Sequence, residues 1–451
     1  MEKKMMILGA SALQTPAIKK AKELGYQVIA VDYDKDAVGF ALADVKLVVS
    51  TMDLEEVYRQ ALHYRPEVVL TSASDGPVRT AAYVNEKLGK RPDLSYADSF
   101  CATVKSDMRR RLEENGVPIP KYYAVEDFAG FCEAVERLDG YCIVKPADNA
   151  GSRGVTLLDK RRSVMQRMDE EGRQQGRKEG QSFCADKDGA DGLFGTGNAV
   201  AGRGGERAGV LEAGLDEKEL EEVYAYSRSH SRNGIVMAEE FMTGPEVSVE
   251  ALTVEGETSI VAVTDKRITP PPYFVELAHC EPSMLEEGIL ERIRQVALQA
   301  VRAIRLQNGP SHTEIKVTPE GPKVVELAAR LGGDFITSKL VPLSTGVDLV
   351  GASVELAAGQ KTDIRPKWQR GAAIHFIPAK EGVIRRIFVP EEAYGLEGVE
   401  EVVFYKKAGE RAAGTKSSND RVGHIITSAD TPKKAMETGE KVLRLIQVEW
   451  E

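Results

Sequence analysis

His312-Thr313-Glu314-Ile315-Lys316-Val317 runs into Thr318-Pro319-Glu320-Gly321 and then into Pro322-Lys323-Val324-Val325-Glu326-Leu327-Ala328-Ala329-Arg330-Leu331-Gly332-Gly333-Asp334. Two β-branched runs flank a Pro/Gly turn, which predicts a β-hairpin. A three-residue loop, Pro319 to Gly321, is a common way to close one. In that register Glu314 faces Glu326, whereas a two-residue loop would undo the pairing. Like charges directly opposed across a sheet repel. A divalent cation between them relieves the repulsion, and paired carboxylates suit Mg²⁺, which prefers oxygen ligands and often shares them with phosphates. A plain surface hairpin with two solvated glutamates is the competing reading of the stretch taken alone.

The hairpin sits late in a chain of 451 residues, long enough for two to four domains. With 42% hydrophobic and 29% charged residues, the composition is that of a globular protein. A formal net charge of -10 argues against nucleic acid as the main partner. The five cysteines are scattered and never spaced Cys-x-x-Cys, which predicts reduced thiols, no zinc site and a cytoplasmic location. Apolar runs are too short for a signal peptide or a membrane span, so neither is expected.

The opening reads strand (Met5–Leu8), turn at Gly9, helix (Pro16–Leu24), strand (Val28–Asp32), a βαβ unit. Its glycine spacing is not the dinucleotide Gly-x-Gly-x-x-Gly. Strands at Val45–Val49 and Val68–Thr71 follow; the fragment Thr71–Gly76 sits at a strand's carboxyl end, where open α/β sheets place ligands, or else Ser74 or Asp75 is a plain helix N-cap. After Ser99 come a helix from Lys105, an extended connector at Val117–Pro120, a helix over Val125–Leu138, and a strand Tyr141–Pro146 that ends on Lys145. A lysine there must find an anion or solvent, because burying its charge unpaired is costly. Gly151-Ser152-Arg153-Gly154 is a small-residue hairpin tip able to bring amide N–H groups close to a phosphate, or else an ordinary turn. From 160 to about 214, glycine and charge replace apolar periodicity, which predicts a flexible insertion. Strands then resume at Gly234–Met242 and Glu246–Leu252, a helix spans Leu285–Leu306, and a last unit begins near 371. In that unit Asn419-Asp420-Arg421 is the one candidate for a catalytic element, and reads more readily as a turn.

Taken in order, Lys105, Lys145-Pro146, Gly151-Ser152-Arg153-Gly154, Glu239-Glu240-Phe241, Gly244-Pro245-Glu246, Glu314 and Glu326-x-x-x-Arg330 resemble the ATP-grasp superfamily, in its carboxylate–amine (amino-acid) ligase-like branch. The resemblance spans nearly the whole chain and implies a multidomain protein of α/β and α+β type. It would comprise a Rossmann-like pre-ATP-grasp domain (1–98), an ATP-grasp domain (99–370, carrying the insertion) and a small β-rich C-terminal domain (371–451).

It further implies that Lys105 and Lys145 contact the phosphates of ATP and that Gly151, Ser152, Arg153 and Gly154 form a lid over them. Glu239, Glu240 and the backbone of Phe241 would read adenine, and Glu246 the ribose. Glu314 and Glu326 would bind Mg²⁺, with Mn²⁺ as the alternative ion. Arg330, Gly332 and Gly333 would hold the carboxylate substrate and the transferred phosphoryl group, with Glu276 and His279 on the substrate side. Arg330 and Lys145 are the expected catalytic pair. Many members carry Asn two residues after the second metal glutamate; here that position is Ala328.

The implied activity is ADP-forming C–N ligation through an acyl phosphate, on an amino acid or similar small acid. Its partners would be a small carboxylate and an amine, with a homodimer as the default assembly. The alternatives are a purine-pathway or carbamoyl-phosphate-type enzyme, or an ATP-binding regulator without catalysis.

Overall fold

The computed structural model describes residues 3–90, 93–149, 153–160, 217–271 and 273–451. Gly151, Ser152 and nearly all of the expected insertion lie outside the described residues. The chain opens with β1 (Lys4–Leu8), β2 (Gln27–Asp32), β3 (Val45–Val48) and β4 (Val68–Thr71). They form a parallel sheet in the order β3-β2-β1-β4. Fully buried Met5, Met6, Ile7 and Leu8 explain why β1 is central. Asp32 closes the first turn, accepting from the amides of Ala10 (2.7 Å) and Asp34 (3.0 Å). The N-cap expected at Ser74 or Asp75 is not made by either side chain. The helix Gly76–Lys87 starts without a side-chain cap, and Asp75 is turned instead to Arg330.

A second, antiparallel sheet is built from β5 (Tyr122–Val125), β6 (Tyr141–Pro146), β7 (Thr156–Asp159) and β8 (Val236–Glu240), in the order β5-β8-β6-β7. The helix expected over Val125–Leu138 starts later, at Phe128. Asp127 caps it through the amide of Gly130, and Val125 ends β5. Strand alternation divides the sheet. Cys142, Val144, Val236 and Ala238 pack under the helices Phe128–Arg137 and Glu217–Ser229, while Ile143, Lys145 and Glu239 face the other way.

The largest sheet takes β9 (Glu246–Val254), β10 (Glu257–Ile268), β11 (Glu276–Glu281), β12 (Gly309–Thr318) and β13 (Gly321–Ala328), joined by β14 (Gly371–Ile377), β16 (Val399–Phe404) and β18 (Gly423–Ala429). Its order is β13-β12-β9-β10-β11-β14-β18-β16. The boundary expected at 370/371 therefore precedes a strand hydrogen-bonded to β11, and the last unit extends the central sheet. Only β15 (Glu381–Phe388), β17 (Arg411–Ala413) and β19 (Gln447–Trp450) form a separate small sheet. On one face of the large sheet Val247, Val249, Val263, Ile315, Val324 and Leu327 pack on the helix Glu287–Ala303. The opposite face carries Glu246, Glu250, Lys266, His312, Glu314 and Glu326. Such alternation is what a half-buried antiparallel sheet requires.

The hairpin at β12–β13 forms, but not by the expected turn. Thr318 pairs with Gly321, so the loop is Pro319-Glu320, two residues rather than three. An unbroken ladder from there would put Glu314 opposite Val325. Instead the register shifts after Ile315↔Val324, Val325 is left as an extra residue, and Glu314 pairs with Glu326. A β-bulge of this kind re-aims the residues beyond it.

Candidate nucleotide and substrate site

The polar faces of the second sheet and the large sheet enclose a cavity of about 170 Å³. Lys145, at the end of β6, reaches Glu239 Oε2 at 2.7 Å. Lys105, the first residue of the helix Lys105–Glu114, donates to Glu326 Oε1 and to the carbonyl of Asn149, both at 2.8 Å. Arg109, one turn further and fully buried, holds Glu239 with two bonds of 2.9 Å. Around Glu239 and Glu326 there is thus a surplus of cation. Burial, with Arg109 and Lys105 nearby, holds the Lys145 ammonium below the usual lysine value despite Glu239. Burial opposes ionisation of Glu239, but Arg109 and Lys145 outweigh it and bring the carboxyl down to about 2. A site in this state favours an added anion.

Glu314 and Glu326 both line the cavity. Glu314 Oε1 accepts from Lys266 at 2.6 Å and lies 3.5 Å from His312 Nε2. Burial raises the Glu314 pKa, yet Lys266 and His312 hold it well below the usual range, so the carboxylate stays ionised. Among the described residues, Oε2 of Glu314 and of Glu326 has no hydrogen-bond partner. No group of three or more His, Cys, Asp or Glu among them could hold a metal unaided. Two ionised carboxylates from facing strands, each with one oxygen to spare, fit an ion such as Mg²⁺ that takes its remaining ligands from phosphate and water. Ala328, 1% exposed and paired with His312, supplies no further donor.

Glu239 stands otherwise than expected for an adenine reader, since both its oxygens are engaged by Arg109 and Lys145. Glu240 accepts from the Lys121 amide (3.1 Å) and from Lys323 (3.3 Å). Phe241 packs its ring against Tyr141 at 5.0 Å on the cavity wall. Glu246 is held between Lys266 (2.8 Å) and Lys316 (3.0 Å). Of the expected lid, Arg153 lines the cavity. Gly154 has φ +79°, and a Cβ there would meet His230 at 2.7 Å.

Of the expected substrate residues, Glu276 lines this cavity and accepts from Ser418 at 2.8 Å. His279 does not; it is 1% exposed and turns Nε2 to Asp334 at 3.3 Å. Arg330 donates to Asp75 at 2.7 Å. Asp75 lines a larger cavity of about 860 Å³, which shares Lys105, Asn149, Arg153 and Glu326 with the first. Its other walls are the carboxyl ends of β1, β2 and β4, where open α/β sheets place ligands, and the turn Ser417-Ser418-Asn419. That segment overlaps Asn419-Asp420-Arg421, expected to be a turn more readily than a catalytic element. It is a turn, with a capping box at Ser417, but it also opens onto the cavity and leads into buried Arg421.

Between Arg330 and the helical turn Ile336–Leu340 the backbone is tightly constrained. The Gly332 amide donates to Glu250 at 3.2 Å, and a Cβ on Gly332 would lie 2.7 Å from that carboxylate and 2.9 Å from His312. Gly332→Ala is expected to cost about 1–3 kcal/mol by overpacking, read as a lower urea midpoint. Asp334 and Phe335 both have positive φ, +49° and +61°, a conformation costing non-glycine residues about 1–3 kcal/mol each.

Burial tends to raise the pKa values of Glu239, Glu246, Glu314 and Asp334, but their cationic partners pull all four below the ordinary range. Groups depressed on folding contribute stability above their unfolded pKa of about 4.5 or below, and that stability is lost as pH falls through the folded values. The urea midpoint is accordingly expected to decline steeply between about pH 4.5 and pH 2.

Residues 213–338 match the family model for the ATP-grasp domain, and 374–451 match L-amino acid ligase C-terminal domain 2. Together the two matches cover less than half of the chain, which is similar there to an ATP-grasp domain followed by the C-terminal domain of L-amino acid ligases. The crystal structure of L-amino acid ligase from Bacillus licheniformis superposes with a TM-score of 0.75 at 19% identity, covering 100% of this chain and 99% of that one. That likeness is one of fold. Uncharacterized protein y4rH of Sinorhizobium fredii is 25% identical over 348 residues, 76% of this chain and 60% of the relative. Alanine–anticapsin ligase of Bacillus subtilis is 38% identical over 88 residues, 19% of this chain and 18% of that enzyme. The chain thus spans less than two thirds of the curated relatives it matches.

Among the residues that sequence reasoning missed, Arg109, Lys266 and Glu250 are the most consequential. The only signal was Arg109 lying four residues after Lys105, on the same helix face. The others pair across strands far apart in sequence.

Proposed function

We propose that this protein is an ATP- and Mg²⁺-dependent carboxylate–amine ligase that forms an amide through an acyl phosphate. The observation carrying this reading is the gathering of Lys105, Lys145, Glu314 and Glu326 around one cavity that opens into a second, larger one. Lys105 and Lys145 would bind the phosphates of ATP, each fixed by a glutamate. Glu314 and Glu326 would hold Mg²⁺, or Mn²⁺ in its place, which when bound offsets charge on the phosphoryl oxygens. Phe241 and Met242 would flank the base. Because Glu239 is committed elsewhere, adenine recognition would fall to backbone groups and Glu240.

In the first step a carboxylate oxygen of the acid attacks the γ-phosphorus, the bond to the bridging oxygen breaks and ADP leaves. An amine then attacks the acyl carbon, loses a proton and expels phosphate. No covalent bond to the protein is needed, so the site's task is positioning and charge neutralisation. Arg330 and the Gly332-Gly333 backbone would hold the acid.

The N-terminal wall of the large cavity carries Asp32, Asp34, Asp36 and Asp75 against Arg79. That balance favours an amino acid or other amine over a phosphorylated ribose. The four described cysteines, all free thiols, support a reducing compartment such as the cytoplasm. The test is ADP release from Mg-ATP with the twenty L-amino acids, singly and in pairs. Release that requires an acid together with an amine supports the ligase. Tight ATP binding without turnover across the panel would replace it with a nucleotide-binding regulator.

A further inference from the structure

The loop from Arg330 to Phe335 is held from three sides. The N-terminal unit binds it through Asp75 to Arg330 and through the Ser72 carbonyl, which accepts from the Leu331 amide at 3.0 Å. The central sheet holds Gly332 through Glu250. The third hold comes from the last unit. Arg421, 6% exposed, makes a bidentate pair with Asp334, Nη1 to Oδ2 at 2.8 Å and Nη2 to Oδ1 at 2.7 Å. Its guanidinium lies 3.6 Å from the ring centroid of Phe376. Its Nε donates to the Ser418 carbonyl at 2.7 Å, fixing the turn that faces the large cavity. The neighbouring Phe335 ring stacks on His424, 4.6 Å between centroids. The two side chains that the last unit grips therefore belong to the two successive non-glycine residues with positive φ.

We propose that Arg421 is a positioning residue for the acid-binding loop: by clamping Asp334 it keeps Arg330 and the Gly332-Gly333 backbone aimed at the substrate carboxylate, making the last unit part of the active site. The claim rests on the acid-holding role given to that loop above. A strained left-handed pair persists only where its surroundings over-determine it. Here the over-determination is a planar fork matched to a carboxylate, which a lysine cannot reproduce. Arg421 is not in the lining of the nucleotide cavity and reaches its wall only at the Glu276 carbonyl, at the long distance of 3.5 Å. Its loss should therefore separate acid binding from ATP binding.

The full-length protein and its Arg421→Lys and Arg421→Met variants test this. Three quantities are read on each: the dissociation constant of MgADP, KM values for ATP and for whichever L-amino acid supports ADP release, and hydrogen exchange at peptides covering 331–340 and 236–246. Arg421→Met is expected to raise the amino-acid KM about ten-fold or more, the loss of a charged hydrogen-bonded pair. KM for ATP and the MgADP constant should stay within about two-fold, and exchange should accelerate at 331–340 but not at 236–246. Arg421→Lys should restore only part of the amino-acid KM. Both KM values rising together, neither changing, or exchange accelerating uniformly would each overturn the proposal. If the wild type turns over with no amino acid at all, the ligase reading fails. The exchange pattern then decides the clamp by itself: no local acceleration at 331–340 overturns it.

Discussion

Glu326→Ala is expected to abolish ADP formation while leaving a folded protein with a cooperative unfolding transition. Glu326 closes the gap between three parts of the site. It faces Glu314 across the hairpin, holds the ammonium of Lys105 at 2.8 Å, and lies on the wall common to both cavities. Removing it takes away a carboxylate proposed for the metal and frees Lys105, whose pKa is raised because Glu326 and Asp75 outweigh its burial. Electrostatic stabilisers of transferring phosphoryl groups are commonly worth two to three orders of magnitude or more in rate, on the order of 10²–10³. Glu326→Gln preserves the shape and still accepts from Lys105, so it should fail nearly as badly if the lost charge is what matters. Wild-type turnover in either variant would show that the metal assignment is wrong. Since Glu326 is partly exposed at the cavity wall, its urea midpoint should move little.

Arg109→Met should do the opposite, acting first on the fold. Arg109 is fully buried, pairs with Glu239 through two bonds and donates to the carbonyls of Val324 (3.0 Å) and Val325 (2.8 Å). Truncating it leaves Glu239 to Lys145 alone and takes the donor from both carbonyls, a loss of about 3–5 kcal/mol. The two carbonyls are the ones on either side of the register shift, so the same guanidinium both anchors the second sheet to the hairpin and satisfies the bulge. A fall in urea midpoint matching that loss is the expected result. The paired substitution Arg109→Met with Glu239→Leu should not recover it, because buried Lys145, which pairs with Glu239 at 2.7 Å, would then be left without its carboxylate. If the single substitution left stability unchanged, Lys145 alone would have to suffice to hold the Glu239 carboxylate.

Local chemistry made much of this architecture legible. The strands Tyr141–Pro146 and Val68–Thr71, and the parallel opening, follow from apolar runs bounded by turn residues. So does the helix Glu287–Ala303 behind the hairpin. The facing of Glu314 and Glu326 was foreseen through a turn that does not occur; a shorter turn and an extra Val325 together yield the same pair. Valine at a bulge carries no compositional mark, and the partner that satisfies it, Arg109, lies more than two hundred residues away. Side-chain commitments were equally hidden. Nothing near Glu239 announces that Arg109 will take it, and nothing in Asn419-Asp420-Arg421 reveals that its arginine will reach Asp334. The continuity of the large sheet across residue 371 was invisible for a related reason: β11 and β14 pair across almost a hundred residues of intervening chain, and pairing partners are not written in either strand.

The spare residue at Val325 has an implication for how this hairpin can vary. A strand alternates sides with every residue, so adding or removing one amino acid anywhere between Thr318 and Glu326 flips the far strand's acids toward the helix Glu287–Ala303. Two such changes of opposite sense cancel. A lineage that lengthened the Pro319-Glu320 connection by one could keep the facing glutamates by dropping Val325, at the expense of the carbonyls that now receive Arg109. The turn and the bulge thus behave as a single inherited unit, tolerant of compensated edits and intolerant of solitary ones.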